Sequence, residues 1–325
     1  MEPLKTNSVA SGTPPPSALD LTVTTHEPRA QFRRLAILSV ALALAFSRPL
    51  LALVQFALRS DLYSYVLLVP FISGYLGWLR KRDLVSRSAA PRKLALFPVV
   101  AGLLFLAGGW LGPQAGLKLA PVDSLALTTF SFVCLFVGAS FFCLDKRNLQ
   151  TLAFPLAFLV FLVPFPGFFE RAVESLLQHR SADAAELLFG IVGTPLVRKD
   201  VVFQLPGFNL QVAPECSGIR SSLVLFITSL VAGQLFLRSF WARALFALIV
   251  IPLGIFRNAL RIVIIGELCV HVDPGFIYSP LHRRGGPVFF VVSLVPFLLL
   301  LYWLRKRDTR KGSSPEGLRA NEGGR

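Results

Sequence analysis

Eight stretches of this chain, near 35–58, 62–79, 94–111, 124–143, 149–166, 217–236, 244–268 and 286–304, are apolar and separated by charged or Pro/Gly-rich breaks. Crossing a hydrocarbon layer roughly 30 Å thick takes about 20 such residues as a helix. Inside lipid a backbone has to satisfy its own hydrogen bonds, so consecutive apolar segments of this length specify an all-α polytopic transmembrane bundle, here of about eight spans. The first stretch is interrupted by Ser47-Arg48-Pro49 and starts far from Met1, with many spans after it, so it is predicted to be a retained helix and not a cleaved signal. Only 16% of the residues are charged and 54% are hydrophobic. A soluble globular domain, with about 25% charge, is excluded.

The formal charge of +15 would suggest nucleic acid in a soluble protein. In a membrane protein it records orientation. With a cytoplasmic N-terminus and eight crossings, 21 of the 33 Lys and Arg fall in cytoplasmic segments. Both termini are therefore predicted to be cytoplasmic, in the inner membrane of the cell, and no nucleic-acid partner is implied. Residues 1–34, with Pro14-Pro15-Pro16, and the basic tail 305–325 are predicted to be disordered cytoplasmic segments flanking a transmembrane domain over 35–304.

The longest connection, 167–216, is predicted to be extracytoplasmic, between spans five and six. Phe169, Val173, Leu176 and Leu177 recur at helical spacing against Glu170, Arg171, Glu174 and Gln178, the pattern of an interfacial helix. A second helix is predicted from a cap at Ser181 or Asp183 to Gly193. Two strands, 201–205 and 208–212, follow around Pro206-Gly207 and lead to Glu215-Cys216.

Charged groups within or beside spans are costly and mark functional candidates. Span six opens on Glu215-Cys216-Ser217-Gly218-Ile219-Arg220-Ser221, span seven contains Arg257-Asn258-Ala259-Leu260-Arg261, and span eight follows His282-Arg283-Arg284-Gly285-Gly286. The predicted topology brings all three to the outer level. Cys216 lies at a helix start, where the dipole favours thiolate, with Arg220 one turn on; oxidation with Cys269 is the competing fate. His282 has the pKa range for proton exchange with a thiol. Arg261, with Asn258 on the adjoining face, suits an anion-stabilising donor, while Arg257 reads as snorkelling to headgroups. Cys134 and Cys143 read as small packing residues, and His26, His179 and His271 as surface or packing histidines. A thiol, an imidazole and a guanidinium are the parts of cysteine acyl transfer. No metal or other cofactor is implied.

At these residues the chain resembles the exosortase/archaeosortase family of membrane cysteine transpeptidases. The Cys216 segment is similar to the family's cysteine motif, Asn258-Ala259-Leu260-Arg261 to its Asn-x-x-Arg motif, and His282 followed by glycine to its histidine motif. An earlier segment, Asp61-Leu62-Tyr63-Ser64-Tyr65 through Ser73, resembles the second-span signature of the bacterial branch, with Tyr65 where a histidine is frequent. The resemblance implies that Cys216 is a nucleophile, His282 a general acid/base and Arg261 an oxyanion or substrate stabiliser, supported by Ser217, Gly218, Arg220 and Asn258. It further implies that the substrates are exported proteins with a C-terminal sorting signal: a Pro-Glu-Pro-like motif, one transmembrane helix and a basic end. Other readings of the same residues are a hydrolytic intramembrane cysteine protease, a small anion transporter using the outer arginines, and a non-catalytic envelope scaffold.

Overall fold

The computed structural model describes residues 28–84, 90–116, 118–212, 217–278 and 286–312. Predictions for the rest of the two terminal segments, and for Glu215, Cys216, His282, Arg283, Arg284 and Gly285, lie outside the described residues.

The chain forms α1 (Pro28–Ala45), α2 (Ser47–Arg59), a 3-10 turn (Ser64–Leu68) running into α3 (Val69–Leu79), α4 (Arg92–Gln114) and α5 (Pro121–Cys143). Short α6 (Lys146–Thr151) and α7 (Ala153–Phe158) lead through a 3-10 turn (Leu159–Leu162) to α8 (Gly167–Val192). Strands β1 (Val197–Lys199), β2 (Val202–Leu205) and β3 (Phe208–Gln211) precede α9 (Ile219–Phe236), α10 (Phe240–His271) and α11 (Gly286–Gly312). The two segments predicted to be disordered are partly helical, since α1 includes residues before 35 and α11 runs past 304.

Among the described residues five helices are long and apolar enough to cross a membrane, and up to seven spans result if each of two bent pairs counts as one. The eight predicted stretches divide along this line. The first is bent by 74° between α1 and α2, at the predicted Ser47-Arg48-Pro49 interruption. The second, Ser64–Leu79, is a shorter apolar helix, and Ala153–Leu162 reaches span length only together with α8, to which it is bent by 92°.

The 167–216 connection departs from its prediction in two ways. α8 is one 26-residue helix, not two. Nothing in His179-Arg180-Ser181-Ala182 breaks a helix, and Ser181 is fully buried in its middle instead of capping a new one. Its polar side turns toward protein: Glu170 accepts a hydrogen bond from Tyr63, and Gln178 Nε2 donates to the Val212 carbonyl at 2.5 Å. The apolar residues Phe168, Leu176, Leu187 and Ile191 face outward, as expected where the solvent is lipid. The predicted hairpin has a third strand. β1 pairs antiparallel with β2, and β2 with β3, with Lys199 opposite Val202 and Leu205 opposite Phe208. Asp200, at φ 57, makes the β1–β2 turn, a left-handed position that Asp tolerates better than most residues. Arg198 of β1, 15% exposed, bonds Asp183 at 2.9 Å and Glu186 at 2.8 Å on α8. Partial burial works against its charge, but these hydrogen bonds outweigh that and raise its pKa.

Alternation along β2 and β3 sends Phe203, Leu205 and Leu210 inward against Phe189, Ala182 and Ala185 of α8 and Ala259, Ile262 and Val263 of α10. The sheet thereby caps the half of α10 that carries Arg257 and Arg261. At the opposite end Asp308 of α11 accepts from the Arg238 and Ser239 amides at 2.5 and 3.0 Å, closing the α9–α10 turn among basic residues.

Candidate active site

α9 begins at Gly218, whose φ of 76 lies in the left-handed region where a side chain is strained. The same glycine is pressed against α10. A Cβ built on it would stand 3.3 Å from Arg257 Nη2 and 3.4 Å from Asn258 Cγ. On the other side of the undescribed 213–216 stretch, Val212 at the end of β3 joins Leu210, Gln211, Asn258, Arg261, Ile262 and Ile265 in lining a cavity of about 20 Å³, room for one water. The chain thus enters and leaves the stretch containing Cys216 beside Asn258. Gly218 and Ser221 of the cysteine motif and Arg257 and Asn258 of α10, far apart in sequence, meet in the fold.

Supporting residues divide into contacts and struts. Ser217 is buried, and its Oγ accepts from the Ile219 amide at 3.4 Å. Asn258 is 3% exposed. Arg220 turns outward and pairs with Asp61 at 3.0 Å. That contact ties α9 to the second-span segment, and Tyr63 Oη, donating to Glu170 Oε2 at 2.7 Å, ties the same segment to α8.

Arg257 also departs from prediction. It is 5% exposed and does not reach for headgroups. Its Nη2 donates to Ser221 Oγ at 2.5 Å, and Ser222 Oγ lies at 3.5 Å. Ser221 Oγ in turn donates to the Gly218 carbonyl at 3.1 Å. Arg257 Nη1 is buried and has no hydrogen-bond partner among the described residues. The signal that could have found this residue is the rule already applied to Arg261, that a charge within a span is functional until shown otherwise, together with two serines in the facing first turn.

Cys269 is a free, buried thiol, and Cys134 and Cys143 are also free. His271 pairs with Glu267 at 3.1 Å, and Glu267 also accepts from Thr194. His179 pairs with Asp200 at 3.1 Å. Among the described residues no three His, Cys, Asp or Glu gather as a metal site.

A polytopic α-helical membrane protein with these motifs juxtaposed is the class that fold and site define. The sequence model of the transmembrane exosortases matches residues 57–299. The chain belongs to that family. Neither the curated proteins nor the solved structures returned a match.

Proposed function

We propose that this protein is a cysteine transpeptidase that cleaves C-terminal sorting signals of exported proteins at the outer face of the cytoplasmic membrane. The observation that supports this reading is the meeting of Gly218 and Val212 at Asn258, one helical turn from Arg261, because these two residues flank the Cys216 stretch in sequence and Asn258 and Arg261 form the Asn-x-x-Arg segment. Family membership supports the substrate class.

In the proposed reaction the substrate's signal helix docks from the bilayer and exposes its scissile peptide bond to Cys216. His282 takes the thiol proton, and the sulfur attacks the carbonyl carbon. Arg261 stabilises the negative oxygen of the tetrahedral adduct, an interaction strengthened where water is scarce. Collapse breaks the C–N bond, His282 gives its proton to the leaving amine, and a thioester remains on Cys216. An acceptor amine or another nucleophile then takes the acyl group. An active site at the outer face with both termini cytoplasmic is the arrangement that the distribution of basic residues supports when the short Ser64–Leu79 helix counts as an eighth crossing.

Co-expression with a tagged exported protein carrying such a signal tests this. Cys216→Ala should leave the protein in the membrane and abolish processing. Normal processing by that variant would contradict the reading. A product ending in an added group supports transpeptidation, and a free carboxylate would assign hydrolysis instead.

A further inference from the structure

We propose that a cavity under the start of α8 is a phospholipid site, taking one acyl chain of an outer-leaflet lipid whose phosphate rests on Arg171. The site lies outside the proposed chemistry and does not depend on it.

The cavity measures about 580 Å³, within the range of small-molecule sites. α4 and α5 form one wall, where Phe105 meets Phe130 edge-on at 4.7 Å between ring centroids. Phe161 and Phe165, on the segment leading into α8, form the other, and Phe168 stands at the α8 end. α4 is the least buried of the five long apolar helices and packs along α5, where Gly102 and Gly138 permit close approach.

The lining decides what fills this space. Every side chain in it but Asp123 is apolar, so water finds almost no partner there. Val160 and Phe168 at the rim are 47% and 69% exposed, which opens the cavity to surrounding hydrocarbon. Along α5 the lining runs from Asp123 to Phe130, ending roughly 13 Å below the helix start at 1.5 Å per residue. One leaflet of the hydrocarbon core is about 15 Å deep. An acyl chain of one leaflet matches that depth, whereas a signal helix has to cross both.

The mouth is positive. Asp123 Oδ1 accepts from the Gly167 amide at 2.7 Å and is thereby committed to the start of α8. Beside it, Arg171 Nη1 lies 3.3 Å from where a Cβ on Gly167 would stand. Lys118, exposed like Arg171, precedes the lining residue Leu119. Among the described residues neither cation forms an ion pair, and Glu170 is turned to Tyr63. Because α8 is bent by 92° from the segment before it, it lies along the surface and holds Arg171 at headgroup level. A guanidinium fork suits phosphate oxygens.

The test exchanges the purified full chain through detergent containing equal amounts of phosphatidylglycerol and phosphatidylcholine of the same chain length, and reads retained lipid by native mass spectrometry. The unaltered protein should keep one lipid per chain, with the anionic lipid favoured about fivefold, as one cation near a surface phosphate provides. Arg171→Gln, at an exposed position, should keep a lipid but lose the preference. Val160→Trp, which sets a large ring at the rim, should lose the lipid, with helical circular dichroism confirming that it folds. Phosphatidylglycerol should raise the Tm of the unaltered protein and leave that of Val160→Trp where it was. If Val160→Trp does not fold, the Arg171→Gln comparison decides alone. No retained lipid, equal retention of the two lipids, retention that survives Val160→Trp, or a preference that survives Arg171→Gln would overturn the site. Expulsion of the lipid by a tagged substrate would overturn it too, by assigning the cavity to the signal helix.

Discussion

Arg257 donates from Nη2 to Ser221 Oγ at 2.5 Å, joining the middle of α10 to the first turn of α9 across 36 residues of sequence. Because Ser221 passes the bond on to the Gly218 carbonyl, a buried cation on one helix fixes the start of another. The geometry of Gly218 and Ser221, which follow Cys216 in sequence, therefore depends on α10.

Gly218→Ala is the sharpest test of this packing. The left-handed φ costs an alanine about 1–2 kcal/mol, and its methyl group would meet Arg257 Nη2 and Asn258. Thermal unfolding in detergent should register the first cost as a lower Tm. Processing should fall further than the stability loss explains, because Arg257 has to move; unaltered processing would show that the close approach has no role.

Tyr63 and Asp61 separate buried from exposed struts. Tyr63, 2% exposed, donates to Glu170 and packs against Phe56 and Phe165. Tyr63→Phe should cost about 1–3 kcal/mol by leaving a carboxylate short of a donor. The Asp61–Arg220 pair has side chains 88% and 58% exposed, and Asp61→Asn should cost less than about 1 kcal/mol. Chemical denaturation of the two variants in parallel measures the difference, and equal losses would contradict it.

Much of the bundle was legible because apolar length and breaker residues act locally: the bend between α1 and α2 falls at Ser47-Arg48-Pro49, α9 matches its predicted stretch to within two residues, and α10 contains its own and extends past it at both ends. β1 was not legible, because Val197-Arg198-Lys199 is short and charged and is held as a strand by Arg198 reaching Asp183 and Glu186. The division of α8 was misread for a related reason, since Ser181 has the chemistry of a cap yet is buried by α8's tertiary neighbours. At the site, Arg261, Asn258 and Gly218 announced themselves as polar or flexible residues at span edges. Arg257 did not, because an arginine four residues from another reads equally as a headgroup anchor; its partner Ser221 is supplied by folding alone.

Gly266 of α10 is pressed against Phe189 of α8. A Cβ there would lie 2.6 Å from the Phe189 ring, with Leu205 of the sheet at 3.3 Å. Gly266→Ala should therefore destabilise by about 1–3 kcal/mol through overpacking and loosen the sheet. Gly190→Ala, on α8 with nothing within 4 Å, should be neutral or gain up to about 1 kcal/mol of helix propensity. Limited proteolysis of the 194–212 region checks both, with faster cleavage expected only for the first.

Arg198 holds the edge of that sheet. Arg198→Gln removes both ion pairs with α8 and should cost about 1–2 kcal/mol. Arg198→Lys should recover part of this, since one ammonium replaces a fork that reaches two carboxylates. Hydrogen exchange at the β1–β2 amides should rise in the glutamine variant, and unchanged protection would show that the apolar face of the sheet alone holds it.

The account stands most directly on the covalent intermediate. Membranes containing the protein and a tagged substrate, quenched during turnover, should yield a Cys216 peptide carrying the N-terminal part of the substrate, released by hydroxylamine as a thioester requires and missing in Cys216→Ala. Substrate processed at full rate with no adduct on Cys216, or an adduct mapped to another residue, would contradict it.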